Sequence, residues 1–199
     1  MRQNAVVTSR NFYLRPLLKD DIANGWLEWM RDSETTRYLS YSESVNPESL
    51  ERYLQASQPP SHYMFAICLT SDDQYIGNAK IGSINWVHKN ATYGRLIGVR
   101  PEAGKGIGTD VLKALAGFAF FRLNLHRIYT SVVDANVASI KSNEKAGARK
   151  EGVLRDHFLS GTTYIDCTSF SIIRTDVCRA NWEKHFELLD TGRTDYGDT

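Results

Sequence analysis

Between Leu96 and Phe121 the chain reads LIGVRPEAGKGIGTDVLKALAGFAFF. An apolar run breaks at Pro101, glycine recurs at Gly104, Gly106 and Gly108, and apolar residues then return at helical spacing as Val111, Leu112, Leu115, Ala116, Ala119 and Phe120. A strand that feeds such a turn into a helix leaves main-chain N–H groups at the helix start without intrahelical acceptors. The helix dipole adds partial positive charge at the same spot. Glycine lets an anion come close to the backbone and tolerates positive φ. Gly104, Lys105, Gly106, Ile107, Gly108 and Thr109 therefore form a candidate anion cradle, to which Lys105 can add a point charge.

The segments around this turn limit the fold. Phe12 to Leu17 reads as a first strand, and Ile22, Trp26, Trp29 and Met30 recur at the spacing of a first helix. A second helix is expected after Asn46, with Pro47 in its first turn and Leu50, Tyr53 and Leu54 on one side. The period then becomes that of strands over 63–69, 75–87 and 92–99, which short turns join into an antiparallel meander. The glycine turn and its helix lead to a further strand at 127–133, an order that implies a parallel crossover. Asn136 is expected to cap another helix, which Gly147 ends. Strands near 149–157 and 164–174 follow, then a helix within CRANWEKHFELL and a disordered tail. The expected class is α/β with a mixed sheet. Residues 8–176 would be one domain and 177–199 a C-terminal extension.

Composition removes several functions. Lys plus Arg total 24 against 23 Asp plus Glu, so the basic excess needed to grip a phosphate backbone is missing and no nucleic-acid role is expected. The opening MRQNAVVTSRNFYLRPL has no apolar core of a signal peptide, and no window reaches the roughly 18 apolar residues of a membrane span. Cys68, Cys167 and Cys178 have no C-x-x-C spacing, and the five histidines are scattered. A cytoplasmic chain without membrane contact and without a metal is expected, as monomer or homodimer.

AGKGIGT can be read as a dinucleotide fingerprint, with Asp134 ending the next strand where a ribose-binding acid would sit. That pattern wants a third glycine where Thr109 stands, and a doubly wound sheet where a meander stands. A phosphate-loop NTPase fits less well, because Lys105 is not followed by Ser or Thr.

IGVRPEAGKGIGTDVLKAL resembles motif A of the GNAT superfamily, the acyl-coenzyme A dependent N-acetyltransferases. Gly106 and Gly108 fall on the two small positions of its Gln/Arg-x-x-Gly-x-Gly/Ala pattern, while Ala103 replaces the usual Gln or Arg. DANVASIKSNEKAGARKEGVLRD is similar to the second conserved block, and the opening and closing blocks look like the RimJ/RimL branch. The resemblance covers about residues 10 to 176. It implies a GNAT-type splayed, mostly antiparallel sheet flanked by helices, with acetyl-CoA as co-substrate in the gap between the strand ending at Val99 and the strand starting near Arg127. The pantetheine arm would lie along Ile97 to Val99 and the diphosphate on Lys105 to Thr109.

Further roles follow from the same resemblance. Asn136 and Asn143 would contact the coenzyme, although Asn136 also reads as a plain helix cap. Asn143 stands where much of the superfamily has an acidic tyrosine, and an amide cannot be that acid. Ser139 matches the serine proposed in the RimL-like branch as donor to the departing thiolate, and is the candidate catalytic residue. Val99 would offer an N–H to the developing oxyanion. Thr92 occupies the usual glutamate position, which leaves Glu28, Glu34, His88 and His157 as candidate bases. Trp26, Trp29, Tyr38, Trp86 and Tyr93 either line an acceptor pocket or pack the core. The implied reaction is acetyl transfer to a primary amine, on a peptide or a small molecule. A non-catalytic acyl-CoA-binding module is the alternative.

Overall fold

The computed structural model describes residues 4–39, 45–99, 102 and 106–190. Its strands are β1 (Val7–Ser9), β2 (Phe12–Pro16), β3 (Tyr63–Leu69), β4 (Tyr75–Asn85), β5 (Asn90–Ile97), β6 (Arg127–Val133), β7 (Arg149–Ser160), β8 (Thr163–Ile173) and β9 (Phe186–Leu188). The helices are α1 (Trp26–Arg31), α2 (Ser33–Thr36), α3 (Pro47–Ala56), α4 (Ile107–Gly117), α5 (Val137–Lys145) and α6 (Arg179–Trp182). The strands form one sheet in the order β7-β8-β6-β5-β4-β3-β2-β1-β9. Every pairing is antiparallel except β5 with β6. The meander and the parallel crossover expected from the sequence are both present. Among the described residues no helix is long and apolar enough to cross a membrane.

The alternation of strand side chains divides the interior in two. Phe65, Ile67, Ala79, Ile81 and Tyr93 face α4, whose Val111, Leu112 and Leu115 are fully buried against them. Tyr13, Ala66 and Cys68 face the other way, onto Trp26 of α1 and Leu50 and Leu54 of α3. Asn46 caps α3 by accepting from the Ser49 N–H at 2.8 Å, with Pro47 in the first turn as expected.

Two expectations are corrected. The first helix is broken into a 3-10 turn (Lys19–Ile22), α1 and α2. Gly25 has φ 145, outside helical space, and the Asp21 carboxylate is held by Arg15 through two bonds of 2.7 and 2.6 Å. Asp32 then stops α1 and caps α2. Nor do the described residues after 176 form an appended helix. Among them only Arg179–Trp182 is helical, and β9 pairs with β1 in the register Val7↔Leu188. The Trp182 ring lies against Gly117, where an added Cβ would come within 2.0 Å of it, and its indole N–H donates to the Lys113 carbonyl at 2.8 Å. β1 and β9 share one core with the rest, so the expected boundaries at 8 and 176 cut through a single packed unit. The tail from residue 191 lies outside the described residues.

Candidate active site

β5 and β6 are registered only at Asn90↔Arg127, Ala91↔Ile128 and Thr92↔Tyr129, although β5 continues to Ile97 and β6 to Val133. Along its other edge β6 stays paired with β8 from Arg127↔Ile173 to Val133↔Cys167. The sheet therefore parts at Tyr93. The Gly98 N–H donates to the Ile76 carbonyl at 2.9 Å, so in this antiparallel ladder the even-numbered residues of β5 bond toward β4. Arg95 and Ile97 present their N–H and C=O groups to the gap instead. A ligand laid there has an unpaired strand edge to bond to.

Side chains brace α5 against β5 and α4 beside this gap. The buried Tyr93 hydroxyl donates to Asn143 Oδ1 at 2.6 Å, and burial raises its pKa so that it stays a neutral donor. Arg95 donates to Ser142 Oγ at 2.9 Å, and Thr109 Oγ1 lies 3.0 Å from the same oxygen. Burial acts against the Arg95 charge, and among the described residues no carboxylate pairs with it.

At the mouth stands the start of α4, where Gly106 takes φ 87 as the capping residue. Ile107 and Gly108 occupy the first two helical positions, whose amides have no intrahelical acceptor. The Thr109 N–H is already committed to the Gly106 carbonyl at 2.9 Å, so Thr109 offers its hydroxyl and not its amide. Ile107 buries its side chain and can contribute only main chain. Gly104 and Lys105 lie outside the described residues.

A cleft of about 640 Å³ follows the gap, and its lining includes Ile97, Gly106, Gly108, Thr109, Asn136 and Ser139. Asn136 caps α5 by accepting from the Ser139 N–H at 3.1 Å, while also facing the cleft. Ser139 is half-buried there, with Oγ 3.4 Å from Asn143 Nδ2, too long for a strong bond. Tyr38 closes one side by donating to the Ala135 carbonyl at 3.0 Å.

Three assignments need correction. Asn143 is 0% exposed, with Oδ1 taken by Tyr93 and Nδ2 by the Ser139 carbonyl at 2.8 Å, so it braces the cleft and has no surface for a ligand. The Val99 N–H shares the Ile76 carbonyl at 3.3 Å, because the chain turns after β5, and Ile97 and Arg95 are better placed as main-chain donors. Of the four candidate bases, Glu34 alone lines the cleft. Glu28, His88 and His157 are exposed elsewhere. Arg95 was missed by sequence reasoning. Its signal was a lone cation inside the apolar run YGRLIGV.

The aromatic residues divide. Trp29 packs so closely on Gly98 that a Cβ there would come within 1.9 Å of the ring. Tyr93 is core, and Trp86 is half-buried against it. Trp26 instead lines a second cavity of about 270 Å³ on the α1 and α3 face of the sheet, which meets the cleft at Leu39, Arg95 and Leu96.

Residues 11–149 match the family described as Acetyltransferase (GNAT) domain. The chain is 29% identical over 139 residues to the "Probable N-acetyltransferase YjcK" of Bacillus subtilis (strain 168), covering 68% of this chain and 75% of that protein. It is 28% identical over 100 residues to the spermidine N(1)-acetyltransferase of Vibrio cholerae, covering 50% of this chain and 57% of that one. The crystal structure of a Vibrio cholerae spermidine N-acetyltransferase in complex with CoA and spermine superposes with a TM-score of 0.76 at 22% identity, covering 83% of this chain and 96% of the other. With a sheet that parts beside a glycine-capped helix, and a family match over most of its length, the chain belongs to the acetyltransferase (GNAT) family and is an acyl-CoA-dependent N-acetyltransferase.

Proposed function

We propose that the chain moves the acetyl group of acetyl-CoA to a primary amine by direct attack within this cleft. The observation that carries the reading is the edge of β5 from Tyr93 to Ile97, which pairs with no strand among the described residues and ends beside the first-turn amides of α4. The main chain of Arg95 and Ile97 would bond the pantetheine arm as a strand would, and the first-turn amides of Ile107 and Gly108 would hold the diphosphate. Gly104 and Lys105 extend that cradle in the sequence.

The amine must arrive neutral, and its nitrogen bonds to the thioester carbon while the carbon–sulfur bond breaks. A main-chain N–H of Arg95 or Ile97 would stabilise the charge that builds on the carbonyl oxygen. Ser139 Oγ, in the cleft and only weakly engaged, would donate to the departing sulfur, and Glu34 would receive through water the proton that the nitrogen sheds as its bond to carbon forms. The likeness to the RimJ/RimL branch points to a peptide N-terminus as acceptor, and the spermidine acetyltransferases point to a small-molecule amine.

The test combines two readings. Acetyl-CoA should raise the melting temperature, by linkage of binding to folding. Addition of a suitable amine should then release free CoA thiol. Stabilisation without thiol release across peptides, amino sugars and polyamines would leave a binding module and remove the transferase.

A further inference from the structure

The cavity under α1 and α3 has a chemistry of its own. Its walls are mostly apolar, from Trp26, Met30, Leu50, Met64 and Leu96. Two polar side chains of β4 enter it, Asn78 and Lys80, which alternate with the core residues Ala79 and Ile81. Asn78 is 6% exposed; the Tyr75 hydroxyl donates to its Oδ1, and its Nδ2 has no hydrogen-bond partner among the described residues. A buried donor left unmade costs more than a made bond returns, so it asks for an explanation. Lys80 Nζ donates to Tyr53 Oη at 3.0 Å and Ser57 Oγ at 3.2 Å, and lies 4.7 Å from the centre of the Tyr53 ring. No carboxylate belongs to the described lining of this cavity.

Register places the polar pair beside the cleft. Asn78 stands opposite Leu96 on β5, and Lys80 opposite Gly94. A Cβ added at Gly94 would meet nothing within 4 Å, so this glycine leaves open space in the wall facing Lys80. Leu96 lines both the cavity and the cleft, which puts an occupant of the cavity within reach of the parted strands.

Building on the transferase reading, we propose that this cavity is the acceptor pocket. It selects a primary amine on an uncharged carrier that has apolar surface and presents an oxygen to the Asn78 amide, and it disfavours a polycation. An aminohexose and a neutral peptide N-terminus share this chemistry. The volume of about 270 Å³ suits one ring or one residue. A polyamine would bring its distal ammonium beside Lys80 with no carboxylate in the described lining to pair it, and an unpaired buried charge is strongly disfavoured.

The test is thiol release from acetyl-CoA with glucosamine, an alanyl-alanine amide and spermidine, on the full chain and on two variants. One of the two neutral amines should exceed spermidine in kcat/KM by about 100-fold, and whichever leads identifies the carrier. Gly94→Leu, whose Cβ meets nothing within 4 Å and whose side chain would occupy the open space, should raise the acceptor KM by about tenfold or more while acetyl-CoA still raises the melting temperature as before. Asn78→Leu should raise the same KM about tenfold with little change in kcat. Spermidine leading the panel, or an acceptor KM indifferent to Gly94→Leu, overturns the proposal and leaves the transferase intact. Thiol release with none of the amines, despite acetyl-CoA binding, overturns both.

Discussion

Asn143→Leu separates a brace from a coenzyme contact. The residue is fully buried, and leucine keeps its branched outline with larger methyl ends, so the substitution leaves no cavity and acts through the lost hydrogen bonds, with any overpacking adding to the cost. The bond from Tyr93 Oη at 2.6 Å and the bond to the Ser139 carbonyl at 2.8 Å are lost, at about 1 kcal/mol net each. Tyr93 is itself 4% exposed, so its hydroxyl is stranded, at a further cost of about 1 kcal/mol or more. The sum is about 3 kcal/mol, or about 6–12 °C in melting temperature for a chain of this size. The discriminating measurement is a double-mutant cycle by urea unfolding. Tyr93→Phe in the parent chain should destabilise, because Asn143 Oδ1 loses its donor. On the Asn143→Leu background the same change should stabilise by about 1 kcal/mol, because it removes the stranded hydroxyl. A Tyr93→Phe effect of the same sign in both backgrounds would refute the brace. So would an Asn143→Leu chain of parental stability that has lost acetyl-CoA binding.

Other outcomes follow from the same geometry. Ser139→Ala should lower kcat by about 100-fold in the thiol-release assay with the acetyl-CoA-induced rise in melting temperature retained, and an unchanged kcat would remove Ser139 as donor to the sulfur. Gly117→Ala should force Trp182 out of its seat, lower stability by about 2 kcal/mol or more, and open the segment from Val177 onward to limited proteolysis. His62 is held below its ordinary value near 6.5, first by burial and then by the Lys80 charge. Its folded-state pKa is therefore lower than in the unfolded chain, so the unfolded chain takes up the proton first. Stability should be constant in this respect above about pH 7 and fall as pH drops through 6.5 toward 5; urea midpoints at pH 7.5 and 5.5 measure it, and His62→Gln should flatten that part of the profile.

Much of the site could be read from local chemistry. The strand, glycine turn and helix were visible at Leu96 to Phe121 because positive φ at Gly106 and the return of helical spacing are properties of neighbouring residues. The same holds for Asn136, whose capping bond to Ser139 spans three positions. What escaped depends on depth or on distant partners. A helical projection places Ser139, Ser142 and Asn143 on one side of α5, as observed, yet it cannot tell a half-buried serine from a sealed asparagine. β9 forms because Phe186, already stacked on Trp182 four residues before it, finds Phe12 and the free edge of β1, both almost the whole chain away. Trp26 and Trp29 are three residues apart, but one lines a cavity and the other fills the space above Gly98, since the break at Gly25 resets the helix.

The pairing of β1 with β9 has a consequence for how the protein is made. The strand at Val7–Ser9 pairs at once with β2 on one edge, but its other edge waits for a partner almost the whole chain away. During synthesis the parted strands, α4 and α5 can assemble while that flank still lacks its last rung, and the Trp182 seat at Gly117 stays empty until late. A nascent chain stalled before residue 182 would carry a formed cleft beside an unsealed border, which makes the final dozen residues of the core the step a chaperone or a protease would sense.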